Sequence, residues 1–159
     1  MELGVAFFIA LLFAGLSGVR AFLPLLVLSG WHAAEMGADA GAMTHPATIV
    51  ALLTLAGVEA LADKIPLIDH MQDLLGFIIR PICGALSAVI VMQLAGATIT
   101  ALPALIMGTI AAVVVHIVKT GARAASTATT AGAGNPVISI LEDMLVLGLA
   151  LAGTLAFVV

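Results

Sequence analysis

The chain has 159 residues and a net charge of −4, with 63% hydrophobic and only 9% charged residues and a mean hydropathy of +1.29. Soluble domains carry about a quarter charged residues, so the composition excludes a soluble protein and predicts an all-α polytopic membrane protein with about five spans. Because the sequence has no basic patch and a single cysteine, Cys83, it excludes nucleic acid as a partner, an intrachain disulfide and a paired-thiol metal site, and it indicates no cofactor.

The first apolar segments lie between residues 3 and 61. Leu3 to Leu16 is predicted to be a retained span, because Glu2 stands where a signal peptide is basic. Ala21 to Gly30 follows a Gly-Leu-Ser-Gly interruption and contains Pro24, so it either continues a kinked helix or forms a re-entrant half-helix. Thr48 to Leu61 is predicted to be the second span.

Three more spans are predicted after the most polar stretch of the chain, residues 59 to 73. They cover about Ile82 to Ala97, Leu102 to Val118 and Val137 to Val159. Gly84 and Ala88 have the small-xxx-small spacing that allows two helices to approach closely.

The basic residues predict an orientation in the membrane. Loops 32–46 and 98–101 have no lysine or arginine. The other side carries Lys64, Arg80, Lys119 and Arg123. The positive-inside rule therefore predicts an amino terminus inside and a carboxy terminus outside, in the inner membrane of a bacterium.

One arginine setting occurs twice, as Gly18-Val19-Arg20-Ala21 and as Gly121-Ala122-Arg123-Ala124. Under the predicted orientation the two spans that carry these arginines run in opposite directions. That pattern is typical of an inverted repeat with interrupted helices, with halves at residues 1–80 and 81–159. The alternative is a chance recurrence in a chain rich in alanine and glycine.

Four ordered motifs give the chain a resemblance to a known family. They are Gly15 to Pro24; Ala62 to Pro66 with Asp69, His70 and Asp73; Arg80-Pro81 with Gly84; and Gly134 to Pro136 with Ser139, Glu142 and Asp143. The chain resembles the uncharacterised bacterial membrane proteins of domain-of-unknown-function family 4126. The resemblance implies a small polytopic membrane protein with its polar motifs on loops and helix ends, and it implies no activity.

Charged residues in or near the spans are the first candidates for a binding site. Arg20 and Arg123 could each bind an anion or pair with an acid in the membrane, although Arg20 could also extend to the headgroups. Glu59 is a candidate partner at the end of span two. Glu142 and Asp143 lie inside the last helix, and because adjacent helical residues point about 100° apart, we expect at most one of them to face a given partner.

The segment 119–136 supplies hydroxyl and amide groups at Ser126, Thr130 and Asn135. If the segment enters the membrane, these groups could coordinate an ion or a polar solute. If it lies in water, it is a flexible linker. Asn135 is also the expected N-cap of the last helix.

A metal site is a weaker hypothesis. Asp63, Asp69, His70 and Asp73 could hold a divalent cation, as in membrane phosphotransferases. Their alternative role is a solvated turn that pairs with Lys64 and Arg80. No known catalytic motif accompanies them, so an enzyme is disfavoured.

We therefore expect a small secondary transporter or channel-like carrier for a small, anionic solute, with Arg–acid pairs inside the membrane as its site. The alternatives are a membrane scaffold without transport and a protein that binds lipid headgroups. The expected partners are membrane lipid, a small solute or ion, and a second copy of the chain, because five short spans enclose little volume.

Overall fold

In the computed structural model, which describes residues 2–38, 41–97 and 101–157, the chain forms helices and no strand within these ranges. For residues 66, 67, 69 and 70 the structure describes the backbone but not the side chains. The helices are α1 Leu3–Val19, α2 Phe22–Met36, α3 Pro46–Ala62, α4 Pro66–Leu94, α5 Ala101–Thr130 and α6 Asn135–Leu155. The predicted all-α polytopic class is confirmed.

The helices have the length and composition of a membrane protein. Met71–Leu94, Ala101–Thr130 and Asn135–Leu155 are long and apolar enough to cross a bilayer, and α1 and α3 are shorter apolar helices. Large apolar side chains are exposed on the outside of the bundle, including Leu74 at 73% and Phe8 at 69% exposure. An exterior of this kind is stable only against lipid or another apolar surface.

The segment after the first span is a separate helix. Arg20 has an extended backbone, with φ −132° and ψ 116°, and this residue interrupts the helical conformation between α1 and α2. Pro24 is the third residue of α2, where a missing N–H breaks no helical hydrogen bond. Of the two alternatives for Leu3 to Gly30, the single kinked helix is therefore wrong, and the re-entrant half-helix stays a prediction.

The third span begins much earlier than predicted. Helix α4 starts at Pro66 and continues through Pro81, whereas the third span was predicted to start at about Ile82. The chain reverses direction in the short turn 63–65 instead. Helix α4 runs without a break across residue 80, and the division into halves at that position stays a prediction.

The segment 119–130 is the continuation of α5, so the flexible linker is wrong there. Helix α5 as a whole, Ala101–Thr130, is long and apolar enough to cross a membrane. Alanine favours the helix, and the hydroxyls of Thr129 and Thr130 donate to the carbonyls of Ala125 and Ser126. The helix ends where Ala131 and Gly132 adopt positive φ angles of 52° and 86°.

The other predicted boundaries are close to the described helices. The connection predicted at 32–46 is shorter, because α2 runs to Met36. Residues 39 and 40 of this connection lie outside the described residues. The same is true of residues 98–100 in the connection at 98–101 and of residues 158 and 159 at the end of the fifth predicted span.

Contacts between the helix ends give the direction of each helix. Arg123 of α5 pairs with Glu142 of α6, and Asn135 donates to Thr127, so α5 and α6 are antiparallel. At one end of α1, Arg20 donates to Ser139 of α6. At the other end, Phe13 of α1 packs against Gly153. Helix α1 is therefore antiparallel to α6 and parallel to α5.

Helix α1 lies in the centre of the bundle, against α4 and α5, and the contact between α4 and α5 depends on small residues. A Cβ atom at Gly108 would lie 2.4 Å from the carbonyl oxygen of Gly84 and 2.8 Å from Cβ of Ala88. The predicted close approach through Gly84 and Ala88 is confirmed. The backbones of α4 and α5 are therefore nearly in contact.

This contact predicts that Gly108→Ala destabilises the bundle by about 1–3 kcal/mol, because the new methyl group has no room. Gly121→Ala is the matched control, since it lies in the same helix and a Cβ there meets nothing within 4 Å. We expect the control to be neutral or stabilising by up to about 1 kcal/mol. Thermal unfolding in detergent, followed by circular dichroism, measures both, and equal unfolding temperatures would contradict the packing.

Candidate functional site

Three basic side chains converge on one carboxylate oxygen. Asp63 ends α3, and its Oδ2 accepts from Nη1 of Arg20 and, at 3.0 Å, from Nη2 of Arg123. Nζ of Lys119 lies 3.5 Å from the same oxygen. None of these four residues is more than 5% exposed. The unlike charges are brought together from the α1–α2 junction, α3 and α5.

Glu142 of α6 is the second acid at this position. Its Oε2 lies 2.8 Å from Nη2 of Arg123, 3.3 Å from Nζ of Lys119 and 3.7 Å from Nη2 of Arg20. We call the five residues the Asp63 cluster: Arg20, Asp63, Lys119, Arg123 and Glu142. Because unpaired charge is costly in a low-dielectric interior, the members hold one another in place.

Asp143 and Lys64 form the rim of the cluster. Oδ1 of Asp143 lies 2.8 Å from Nε of Arg20, and its Oδ2 lies 3.3 Å from Nζ of Lys64. Both acids of α6 thus reach Arg20, so the expectation that only one would face a given partner is wrong. The guanidinium is a wide fork, and its different nitrogens meet neighbours that point in different directions.

A second group of charges surrounds Arg80 in the middle of α4. Its Nη1 lies 2.6 Å from Nδ1 of His116, and its guanidinium lies 3.7 Å from carboxylate oxygens of Glu59 and Asp73. Arginine only donates, so Nδ1 of His116 accepts, and Nε2–H donates to the carbonyl of Asp73 at 3.1 Å. His116 is fully buried and has both ring nitrogens occupied.

Glu59 joins α2 to α3. Its Oε1 accepts from the backbone N–H of Ala21 at 2.9 Å, and its Oε2 accepts from that of Phe22 at 3.2 Å. These are unpaired N–H groups at the start of α2, where the helix dipole favours a negative charge. The carboxylate predicted to bind a solute is thus occupied by the backbone, and it fixes the chain next to Arg20.

The predicted hydroxyl and amide residues form a different group at the ends of α5 and α6. Thr130 Oγ1 donates to the carbonyl of Ser126, and Asn135 Nδ2 donates to Thr127 Oγ1 at 3.0 Å. Gly134, not Asn135, is the residue before α6, and it makes no side-chain cap. The N-cap prediction is therefore wrong, and no described contact joins Ser126, Thr130 or Asn135 to Asp63.

The residues proposed for a metal do not come together where their side chains are described. Asp63 faces Arg20, Lys119 and Arg123, whereas Asp73 faces Arg80. Among the described side chains no three His, Cys, Asp or Glu residues form a metal-binding group. The side chains of Asp69 and His70 lie outside the described residues.

The two repeated arginines meet on the same carboxylate. The sequence had placed them on spans of opposite direction, but α1 and α5 run the same way and bring Arg20 and Arg123 to one end of the bundle. That part of the inverted-repeat prediction is wrong. Sequence reasoning also missed Lys119, Arg80 and His116 as interior residues. The available signal was the apolar sequence on both sides of Arg80 and His116 and the apolar sequence before Lys119.

A partly open cavity of about 220 Å³ reaches Arg123 between α4, α5 and α6. Its lining is mixed in polarity: Asp73, Leu74, Phe77, Thr120, Arg123, Ala124, Thr127 and Asn135. The Asp63 cluster is therefore close to a space that a few atoms of solute or water can enter.

The family described as Domain of unknown function (DUF4126) matches residues 7–159 of the chain. No curated protein and no solved structure matches it.

The cap at Glu59 predicts that Glu59→Ala weakens the first turn of α2 by about 1–2 kcal/mol, because two backbone donors lose their acceptor. Hydrogen exchange of the Ala21 and Phe22 amides should then accelerate by about tenfold. Glu35→Ala is the control, since Glu35 is an exposed acid in the last turn of α2. Unchanged exchange in the Glu59 variant would show that the carboxylate does not support the helix.

Proposed function

The chain belongs to the DUF4126 family, whose description assigns no function, and we propose from its own buried charges that it is a small secondary transporter for a small anionic solute. The observation that carries this proposal is the convergence of Arg20, Lys119 and Arg123 on Oδ2 of Asp63. Guanidinium and ammonium groups arranged in this way form a binding site for an oxyanion.

Asp63 indicates the kind of solute. Its carboxylate already occupies the position at which the three basic groups point. Asp63 directly follows α3 and is the first residue of the turn 63–65. A solute with a carboxylate or a similar single-charged group would make the same interactions. We therefore propose that the solute binds among these three basic residues, beside Asp63 or in its place.

The energetic cost of the cluster supports a functional role. A buried ion pair adds little net stability, and apolar residues of similar volume often replace one without loss. Charged residues inside membrane proteins accordingly mark pathways and binding sites more often than they mark structural contacts. The 220 Å³ cavity that reaches Arg123 supports this proposal, because a solute of a few heavy atoms fits in it.

We also propose an orientation. All five lysine and arginine residues of the chain belong to the Asp63 cluster, its rim or the neighbouring group at Arg80, so the positive-inside rule favours this end of the bundle on the cytoplasmic side of a bacterial inner membrane. Helix α1 runs towards this end. The amino terminus would then face outside, and not inside as the loops alone predicted. The homodimer stays a prediction.

A second candidate function is lipid binding, and a different cavity favours it. A space of about 300 Å³ lies between α2, α3 and α4, is partly open, and is lined mainly by apolar side chains such as Val58 and Leu75. Glu59 and Arg80 lie among its lining residues. A lipid chain would fit the apolar part, with a polar headgroup near Arg80.

The transport proposal predicts that Arg123→Gln lowers the uptake of anions into proteoliposomes by about tenfold or more, the effect of losing about 1.4 kcal/mol of binding. The probes are radiolabelled pyruvate, methanesulfonate and chloride, with protein-free vesicles as the baseline. Arg20→Gln should have the same effect, because both arginines hold the same carboxylate.

Lys64→Gln is the matched control for these variants. Its side chain is 36% exposed and pairs with Asp143 at the rim, so we expect uptake close to that of the unchanged protein. Uptake at the unchanged rate in folded Arg20 and Arg123 variants would overturn the proposal and leave the charges as structural contacts of a scaffold.

Val58→Trp distinguishes the two candidate functions, because the indole would fill the cavity between α3 and α4. We expect anion uptake to continue within about threefold of the unchanged rate, since Val58 lies outside the Asp63 cluster, while native mass spectrometry shows less retained phospholipid. If uptake is lost together with the lipid, the apolar cavity and not the cluster contains the site.

A further inference from the structure

We propose that Asp63 couples a proton to the anion, so that the two cross the membrane together. This inference rests on the proposed transport function and names its coupling ion. The starting observation is the unequal use of the two oxygens of this carboxylate. Oδ2 faces all three basic groups, whereas Oδ1 is buried and has no hydrogen-bond partner within the described residues.

The charges around Asp63 come from each element packed against it. Arg20 stands at the α1–α2 junction, and Lys119 and Arg123 stand on α5. Glu142 and Asp143 of α6 lie behind these basic groups and pair with them. Lys64 is the next residue in the chain and pairs with Asp143. A solute anion that reaches the basic groups therefore comes next to Asp63.

A second anionic group in contact with Asp63 makes it costly for both groups to stay ionised in a buried site. They share one proton, as paired carboxylates do in many active sites. Oδ2 of Asp63 is held by the basic groups, so the proton goes to Oδ1, the oxygen that has no other partner. The resulting O–H donates to the bound anion, and the anion accepts from the basic side chains.

The charge and proton balance of the cycle follows from this arrangement. A monovalent anion and one proton enter from the same side, and the anion and Asp63 share that proton while bound. Both leave on the other side, after which Asp63 is again ionised and returns to Arg20, Lys119 and Arg123. No net charge moves across the membrane, and no bond other than O–H forms or breaks.

The test uses the whole protein in liposomes that contain a trapped pH-sensitive dye, with the membrane potential clamped at zero by potassium and valinomycin. An inward gradient of pyruvate, methanesulfonate or chloride is imposed at equal pH on both sides. We expect the interior to acidify by one proton for each anion that enters. Protein-free vesicles give the baseline for leakage.

Asp63→Asn separates coupling from transport, because the amide cannot exchange the proton but keeps the shape of the side chain. We expect the number of protons that enter per anion to fall by about tenfold or more. Asp143→Asn is the matched control. It is an acid that contacts Arg20 but lies at the rim, 28% exposed, and it should leave the proton ratio unchanged.

The outcomes separate the two proposals. Anion uptake without acidification in the unchanged protein would overturn the coupling and leave transport in place, and this measurement does not depend on the folding of any variant. An unchanged number of protons per anion in Asp63→Asn would also overturn the proposed coupling. The absence of uptake for every probe would overturn the proposed function itself.

Discussion

The structure depends on one constraint: a charge that lies among the helices of a membrane protein must be paired there. Four basic residues, Arg20, Arg80, Lys119 and Arg123, are at most 5% exposed, and the described acids that meet them come from α3, α4 and α6. Since each pairing joins two or three elements, the charges fix how the helices lie relative to one another. The apolar surfaces that surround them contribute close packing at Gly84 and Gly108.

The break between α1 and α2 is what places an arginine in this network. In a continuous helix Arg20 would lie on one face of that helix. Instead its extended backbone ends α1 and allows α2 to start in a new direction. The carboxylate of Glu59 then binds the freed N–H groups of Ala21 and Phe22. The backbone polarity that the break exposes is thus satisfied by the same helix, α3, that presents Asp63 to Arg20. Local backbone chemistry and the long-range ion pair support each other.

Several parts of the fold could be predicted from the sequence, and the errors have common causes. Hydropathy located the apolar cores of the helices, but it misplaced boundaries wherever a helix carried polar residues beyond the apolar core. Residues 119–130 looked like a linker because serine and threonine are polar, yet their hydroxyls bond back to the helix itself. Pro81 looked like a boundary, yet α4 continues through it because the surrounding bundle holds the helix in place.

By itself the sequence determined the class of protein and its helical architecture, since a bilayer permits few structures. It also marked Arg20 and Arg123 as candidate interior charges, because an arginine is costly there. Only the tertiary structure decided which partners these residues have: that both meet Asp63, that Glu59 caps a helix, and that His116 lies buried beside Arg80. The physical reason is that ion pairing depends on which helix ends meet. Hydropathy gives a charged residue the same value at a solvated helix end as inside the bundle, so it carries no information about which partner that residue meets.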